Sequence, residues 1–389
     1  MGLLASASNR VVLTLVALAI GTLLLGDFAS VQANRIVPGS GFGLFATLGS
    51  AWAVALLAAL LTLAALALRP SPARYRGMLL LIILLLLQWP ASLAWFIHTQ
   101  IPADQAQARA GLATGCWSLL FFALLLLVEV RQRLAPAAGW WRLGPLGLLL
   151  ITGLLIHGGY LEPLALLREY GSRSAQFWQA LRGHLGLVGG ALGFSLLFGV
   201  ALALLIRRQP QLQRSVFGVL NFFQTIPSLA LFGLLIAPLS YLAAHSPLLQ
   251  QLGIRGIGWA PALLALIAYS LLPIVRNTSV ALQAVAAEVI ESARGMGMSP
   301  WQVFSQVRLP LALPVILEGV RITSIQAIGL TAVAALIGAE GFGSFIFQGL
   351  GQGAMDLVLL GALPTIVLAL FADALFSALA GYVQPGVGT

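Results

Sequence analysis

The residues with the most distinctive spacing form a short polar segment close to position 300. Glu291 is followed by Gly297, and then by Ser299 and Pro300. Glycine ends helices because it adopts the left-handed conformation at little cost, and serine followed by proline begins them. Gln302 stands three residues after Ser299, which predicts a capping box. The segment therefore predicts two helices joined by a tight corner.

The two predicted helices span residues 281–294 and 300–309, and Pro310 is expected to end the second. A helical hairpin of this size is too short to be a domain, but it is suited to filling a groove on a partner. A hairpin that lies at the membrane surface without any partner fits the same residues. The residues alone leave both interpretations open.

A second group of polar residues interrupts an apolar run. Gln224, Thr225 and Ser228 surround Pro227, and Asn277 lies at the end of a later apolar run. Polar groups at membrane depth usually face a bundle interior or a wet cavity, which makes these residues candidates for lining a translocation pathway. In the alternative interpretation, these side chains only form hydrogen bonds with each other and with neighbouring helices.

Most catalytic chemistry has no candidate residues in this sequence. The chain contains no lysine and no G-x-x-x-x-G-K-[ST] segment, so it cannot build the phosphate-binding loop of an ATPase. Its four histidines show no H-E-x-x-H spacing. The lone Cys116 cannot form an internal disulfide, and we expect it to be a small buried side chain. No metal site is predicted.

The elements that must position these residues are membrane helices. Of the 389 residues, 60% are hydrophobic and only 8% are charged, against about 25% charged in soluble domains. Several apolar runs reach the roughly 20 residues that cross a bilayer. We therefore predict an all-α, polytopic helix bundle. Its ten predicted spans cover residues 11–28, 49–68, 77–97, 112–130, 143–160, 184–206, 215–237, 259–276, 312–338 and 356–380.

The arginines orient these spans. All 20 basic residues are arginine, and with a cytoplasmic N-terminus 14 of them lie inside and 6 outside. The outside six are Arg35, Arg109, Arg168, Arg173, Arg182 and Arg255. The positive-inside rule then predicts that both termini are cytoplasmic. The first span could instead be a signal peptide, although its apolar stretch is long for one.

The chain is expected to divide into three parts. Residues 1–160 form an N-terminal membrane block of about five helices, whose role the sequence does not indicate. Residues 161–183 form a periplasmic amphipathic connector, and residues 184–382 form a second membrane block that contains the cytoplasmic loop 283–310. The intramembrane polar residues and most of the prolines that bend helices lie in the second block.

The loop resembles the coupling loop, named EAA, of permeases in binding-protein-dependent ABC importers. The pattern is Glu291-Ser292-Ala293, three residues, Gly297, nine residues, Val307, one residue, and Leu309-Pro310. The family has Ala where this chain has Ser292 and Ile where it has Val307. The resemblance implies the core of a type I ABC importer permease and a loop that inserts into a cleft of the ATP-binding subunit. We expect Glu291 and Gly297 to contact that subunit and Trp301 and Phe304 to be buried against it.

The second block also resembles the osmoprotectant branch of these importers, in particular low-affinity glycine betaine uptake permeases. The resemblance is carried by residues 223–231, 273–278, 336–346 and 359–364, and it extends over roughly 184–382. Relatives usually have a small residue where this chain has Glu340. The glycine-rich stretch 338–351 is expected to be an outer loop, either a docking place for a binding protein or a flexible connection without a function.

These resemblances imply a transporter subunit, not an enzyme, that resides in the bacterial inner membrane. Its expected partners are an ATP-binding subunit that holds ATP and Mg, a periplasmic solute-binding protein, and a second permease copy or paralogue. The lipid bilayer is a further partner, and nucleic acid is not. The expected solute is glycine betaine, choline or a related quaternary amine. The alternatives are another small solute such as an amino acid, or a secondary transporter driven by an ion gradient.

Overall fold

A computed structural model describes residues 8–34, 37, 39–102, 105, 107–134 and 139–383 of the chain. The chain forms two compact units, Met1–Ser172 and Arg173–Thr389. Their division lies within the predicted connector 161–183, and the predicted boundaries of the three parts stay a prediction. Arg35, one of the arginines assigned to the outside, lies outside the described residues.

The first unit is a helix bundle with a small sheet at one end. Its helices are α1 (Arg10–Leu25), α2 (Leu44–Leu68), α3 (Pro72–Gln100), α4 (Thr114–Arg133), α5 (Leu143–His157) and α6 (Ala165–Ser172). Its strands β1 (Asp27–Gln32), β2 (Ser40–Gly43) and β3 (Arg109–Leu112) form an antiparallel sheet in the order β2-β1-β3. The sequence did not predict this sheet, because strands of four to six residues give little periodic signal.

The core of the first unit is apolar, and its few charges are paired. Cys116 is fully buried, as predicted. Near one end of the bundle, the carboxylate of Glu129 accepts hydrogen bonds from Asn9 Nδ2 at 2.9 Å and from Arg133 Nε at 3.1 Å. At the sheet, Arg109 Nη1 donates to the carboxylate of Glu169 at 2.6 Å.

The second unit carries the residues singled out above. Its helices are α7 (Ser174–Arg208), α8 (Gln213–Thr225), α9 (Ser228–His245), α10 (Pro247–Gln251), α11 (Trp259–Gln283), α12 (Ala287–Gly295), α13 (Pro300–Gln302), α14 (Leu309–Val333), α15 (Gly343–Gln352) and α16 (Met355–Val383). Helix α11 packs between α7 and α14, and α14 also packs on α16. Over both units, nine helices among the described residues are long and apolar enough to span a membrane. The predicted all-α, polytopic helix bundle is confirmed.

The seventh span departs from its prediction. The sequence suggests one bent helix over 215–237, whereas the structure has two helices, α8 and α9, with extended backbone at Ile226 and Pro227 between them. The pyrrolidine ring disfavours the helical conformation of the residue before it, so α8 ends there. Helix α9 then continues to His245, well past the predicted end.

Two further predictions about loops are wrong. Pro310 does not end the second helix of the hairpin, because α13, a π-helical turn at Val303–Arg308 and α14 follow one another without a break. The wider π-turn relieves the clash between the proline ring and the carbonyl of the preceding turn. The glycine-rich stretch 338–351 is not a loop throughout, since it contains helix α15. Its two alternative roles, a docking place for a binding protein or a connection without a function, stay predictions.

Candidate docking and pathway sites

The corner of the hairpin is a complete helix C-cap. Gly297 has φ = +84°, the left-handed conformation that glycine adopts without strain. Its N–H donates to the carbonyl of Arg294 at 2.9 Å, and the N–H of Met298 donates to the carbonyl of Ala293 at 3.3 Å. This pair of hydrogen bonds is the Schellman arrangement, which satisfies the last carbonyls of α12. The predicted end of the first helix is therefore confirmed, whereas its predicted start at 281 is wrong, because residues up to Gln283 belong to α11 and α12 begins at Ala287.

The helix after the corner begins as the sequence predicts. Ser299 Oγ accepts from the N–H of Gln302 at 3.3 Å, and Gln302 Oε1 accepts from the N–H of Ser299 at 2.8 Å. The capping box is thus present, with Pro300 in the first turn. Both ends of the corner are fixed by local hydrogen bonds, so the angle between the two helices does not depend on a partner.

A small apolar core holds the two helices of the hairpin together. It consists of the buried side chains of Ile290, Ala293 and Val303, with Met298 and Val307 packed against them. Ala293 is 2% exposed, which explains why a small side chain follows Ser292 at this place. Ala293 and Val307 therefore stabilise the hairpin itself.

The other predicted docking residues point to solvent. Glu291, Ser292, Gly297 and Ser299 are all exposed. Two large apolar side chains at the corner are also exposed, Met296 at 75% and Trp301 at 72%. Large apolar side chains that are exposed among polar ones make this surface a candidate interaction site. The sequence reasoning missed Met296, although it directly precedes the corner glycine.

The base of the hairpin packs on its own unit. Phe304 is half-buried against the cluster formed by Ala281, Leu282, Ala312 and Ile316, and its ring lies 5.7 Å from the ring of Trp301. Leu309 and Pro310 are exposed at the start of α14. The N–H of Leu309 donates to the carbonyl of Phe304, five residues earlier, which is the bonding pattern of a π-turn.

The candidate pathway residues next to Pro227 lie together at the break between α8 and α9. Gln224 Nε2 donates to the carbonyl of Tyr269 at 2.6 Å, and Thr225 Oγ1 donates to the carbonyl of Phe222 at 2.7 Å. The hydroxyl of Tyr269 donates to the carbonyl of Ile226 in the break itself.

The hydroxyls of Thr225 and Tyr269 therefore satisfy backbone carbonyls that the break leaves free. Gln224 instead satisfies a carbonyl of α11, that of Tyr269, four residues before Pro273, which has no N–H to bond it. The sequence reasoning did not single out Tyr269. Tyr269 could have been found from the sequence, because a tyrosine within an apolar span needs a hydrogen-bond partner for its hydroxyl.

Asn277 is separate from this group. It lies eight residues after Tyr269 on α11, about 12 Å along the axis, and its Nδ2 donates to the carbonyl of Pro273 at 2.8 Å. Its side chain packs against Gly319 of α14, where an added Cβ would lie 2.6 Å from Asn277 Cβ. Asn277 thus marks a close approach of α11 and α14, and the structure does not bring it to the break.

A three-residue ion network joins α14 and α16. Arg321 Nε donates to Asp373 at 2.7 Å, and Arg321 Nη1 donates to both oxygens of Glu318 at 3.1 and 3.2 Å. Glu318 and Arg321 are three residues apart and share one face of α14, and Asp373 reaches the same arginine from α16. One arginine faces two carboxylates, and their side chains are 31–45% exposed.

On another side of the unit, α15 lies close to the first turns of α7. Gln179 Nε2 donates to the carboxylate of Glu340 at 3.0 Å, and Arg173 Nη1 donates to Gln348 at 3.3 Å. An open cavity of about 360 Å³ lies beside these polar side chains. Within the described part of the chain, no group of three or more His, Cys, Asp or Glu residues could hold a metal ion.

Comparisons with known proteins divide the chain in a similar way. Residues 195–387 match a family model described as the binding-protein-dependent transport system inner membrane component. Residues 9–167 match one described as the ABC transporter permease YehY, N-terminal domain.

Individual relatives match the second unit. Over 202 residues the chain is 41% identical to the osmoprotectant import permease protein OsmW of Salmonella typhimurium, which covers 52% of this chain and 89% of that protein. It is 37% identical over 198 residues to the carnitine transport permease protein OpuCB of Listeria monocytogenes, with 51% and 82% covered. A solved structure of the MetNI methionine ABC transporter, inward facing, aligns at 22% identity and a TM-score of 0.46, and it covers 55% of this chain and 99% of that one.

Proposed function

The chain belongs to the binding-protein-dependent transport system inner membrane component family, and we propose that it imports an osmoprotectant such as glycine betaine, choline or a related quaternary amine. It is a permease subunit of an ABC importer and not an enzyme, since ATP is hydrolysed by a separate subunit in this family. The proposal on the solute rests on one observation. Relatives 33–41% identical to the second unit are named for osmoprotectants, carnitine, choline or glycine betaine.

We propose that the exposed face of the hairpin contacts the ATP-binding subunit, which holds ATP and Mg. This face contains Glu291, Ser292, Met296 and Gly297, while Ala293 and the apolar core behind it fix its shape. Because the corner is held by its own hydrogen bonds, the hairpin is ready to enter a cleft without rearranging. A preformed docking element loses little conformational entropy on binding.

Contact with the ATP-binding subunit requires the hairpin to lie on the cytoplasmic side, and this orientation leads to the remaining assignments. The hairpin and both termini are cytoplasmic, in agreement with the bias of the arginines. The cavity beside Glu340 then faces the periplasm, where a solute-binding protein docks. The permease pairs with a second copy or a paralogue, and the break at Pro227 borders the pathway between them. Polar carbonyls at an interrupted helix are the usual lining of a membrane transport site.

The function is tested by reconstituting the chain with its ATP-binding subunit and solute-binding protein in proteoliposomes. Radiolabelled glycine betaine and choline should enter only when ATP is supplied on the side of the ATPase. Uptake that persists without ATP while an ion gradient is held would contradict the importer mechanism. Competition by an amino acid but not by betaine would overturn the solute class alone.

The role of the hairpin is tested by a pair of charge reversals. Glu291→Arg should abolish copurification with the ATP-binding subunit, because it places a cation on the proposed contact face. Glu340→Arg is the matched control, since Glu340 is also exposed but lies beside the cavity at α7 and not on the hairpin. If both variants copurify equally well with the ATPase, the proposed contact face is wrong.

A further inference from the structure

An open groove of about 770 Å³ lies between the end of α7 and the base of the hairpin. We call it the arginine groove, and its lining includes Leu204, Leu205, Arg207, Arg208, Trp301 and Phe304. All of these residues belong to the second unit. One wall is therefore the last turn of a membrane helix, and the other is the beginning of the second helix of the hairpin.

The polar side of the arginine groove carries positive charge that the protein does not neutralise. Arg207 and Arg208 are exposed, and Arg308 lies close enough for its charge to interact with that of Arg207. Among the described residues, none of the three forms an ion pair. Arg308 is not one of the residues that line the groove, and its buried Nε has no hydrogen-bond partner, so an anion in the groove would act on its charge and not on this donor. An anion in the groove would offset this repulsion.

The other side of the groove is formed by two aromatic side chains next to an arginine. The guanidinium of Arg207 lies over the ring of Phe304 at 5.8 Å, and Phe304 contacts the ring of Trp301. Trp301 is 72% exposed. Tryptophan and arginine side by side, at the end of an apolar helix, are typical of the boundary between lipid headgroups and hydrocarbon.

The apolar wall of the groove continues along α7 into the membrane span. Leu197 and Phe198 lie two turns before Leu204 and Leu205, and they are 64% and 49% exposed. A ligand that fills the groove and follows this wall needs an anionic head and an apolar tail. Basic pockets between helices at the membrane surface bind such lipids.

We propose that the arginine groove binds the phosphate headgroup of an anionic phospholipid, whose acyl chains lie along the exposed face of α7. The continuity of the charged groove with this face favours a lipid over an acidic protein segment, which would match only the charged part. The site does not depend on the identity of the transported solute.

The test uses the purified full-length chain and native mass spectrometry with phosphatidylglycerol or phosphatidylcholine. The wild type should retain phosphatidylglycerol preferentially. Removing two charges with R207Q/R208Q should weaken that binding about 25-fold, taking about fivefold for each arginine at a membrane surface. Binding of phosphatidylcholine should not change. Both arginines are exposed, so we expect this variant to fold.

The matched control is R182Q/R255Q, which removes two exposed arginines elsewhere in the same unit. It should bind phosphatidylglycerol within about twofold of the wild type, because neither Arg182 nor Arg255 lines the arginine groove. Equal losses in the two double variants would show attraction by net charge alone and overturn the proposal. Absence of any preference for phosphatidylglycerol would do the same.

A second measurement locates the lipid. Phosphatidylglycerol with brominated chains should quench the fluorescence of Trp301, obtained as the difference between the wild type and Trp301→Phe. Brominated phosphatidylcholine should quench it less. Displacement of the lipid by inorganic phosphate would mean a free phosphate site, and displacement by the ATP-binding subunit would mean a protein occupant. Either result would overturn the assignment to a lipid.

Discussion

The conformation of Gly297 makes the corner of the hairpin the most informative place to perturb. Its φ of +84° is one that residues with a side chain adopt only under strain. An added Cβ would nonetheless meet no atom within 4 Å. Gly297→Ala therefore introduces backbone strain without a steric clash. Gly295, two residues earlier, is also open to an added Cβ but ends α12 in a conformation without positive φ.

The two substitutions add the same methyl group and should act in opposite directions. Left-handed backbone costs a residue with a side chain about 1–2 kcal/mol. In a helix, alanine is favoured over glycine by up to about 1 kcal/mol. The corner should thus open more easily in Gly297→Ala than in Gly295→Ala by about 2 kcal/mol, a factor of about 30.

Hydrogen exchange of the Met298 amide measures this difference, because that amide donates the outer hydrogen bond of the corner. It should exchange about 30-fold faster in Gly297→Ala than in Gly295→Ala. ATP-dependent uptake should fall in the first variant and remain in the second. Equal exchange rates in the two variants would refute the argument that the left-handed glycine fixes the corner.

Three further substitutions test other parts of the second unit. Gly319→Ala should destabilise the chain by about 1–3 kcal/mol, because the added methyl group overpacks the contact of α11 with α14. This loss should appear as a lower thermal unfolding temperature in detergent. Gly329→Ala is the control, since it lies on the same helix with open space around an added Cβ, and it should leave that temperature unchanged. Tyr269→Phe should cost about 1 kcal/mol, since the carbonyl of Ile226 loses its donor, and an unchanged unfolding temperature would contradict this role. Ser299→Ala should remove about 1 kcal/mol of capping energy. Amide exchange in the first helical turn after the corner should then be faster, and unchanged exchange would show that the serine cap does not stabilise this helix.

The sequence predicted the hairpin well because its signals are local. A glycine, a capping serine and a glutamine at the third helical position each act within a few residues of the chain. The same local reasoning failed at Pro310, where the backbone avoids the expected break by widening one turn. The widened turn spans Val303–Arg308, directly before Leu309 and Pro310, and no residue next to Pro310 predicts it.

Contacts between distant residues were the least predictable. Asp373 meets Arg321 across 52 positions, and Tyr269 reaches Ile226 across 43. Each is a polar residue in an apolar span, so the need for a partner was visible from the sequence while its identity was not. The pairing follows from which helix faces meet, and hydrophobicity alone does not encode this when a helix is apolar on every side.

The continuous helix from Pro300 to Val333 has a mechanical consequence. Its 34 residues, counted inclusively, give a rod about 50 Å long at 1.5 Å per residue, with the base of the hairpin at one end. A tilt of about 5° at that end would displace the other by about 4 Å, from the same length. The π-turn at Val303–Arg308 and Pro314 both interrupt the regular helical hydrogen bonding of this stretch, so the rod is expected to bend between Val303 and Pro314. A movement of the hairpin is therefore expected to be transmitted through this helix to the part of α14 that lies inside the membrane.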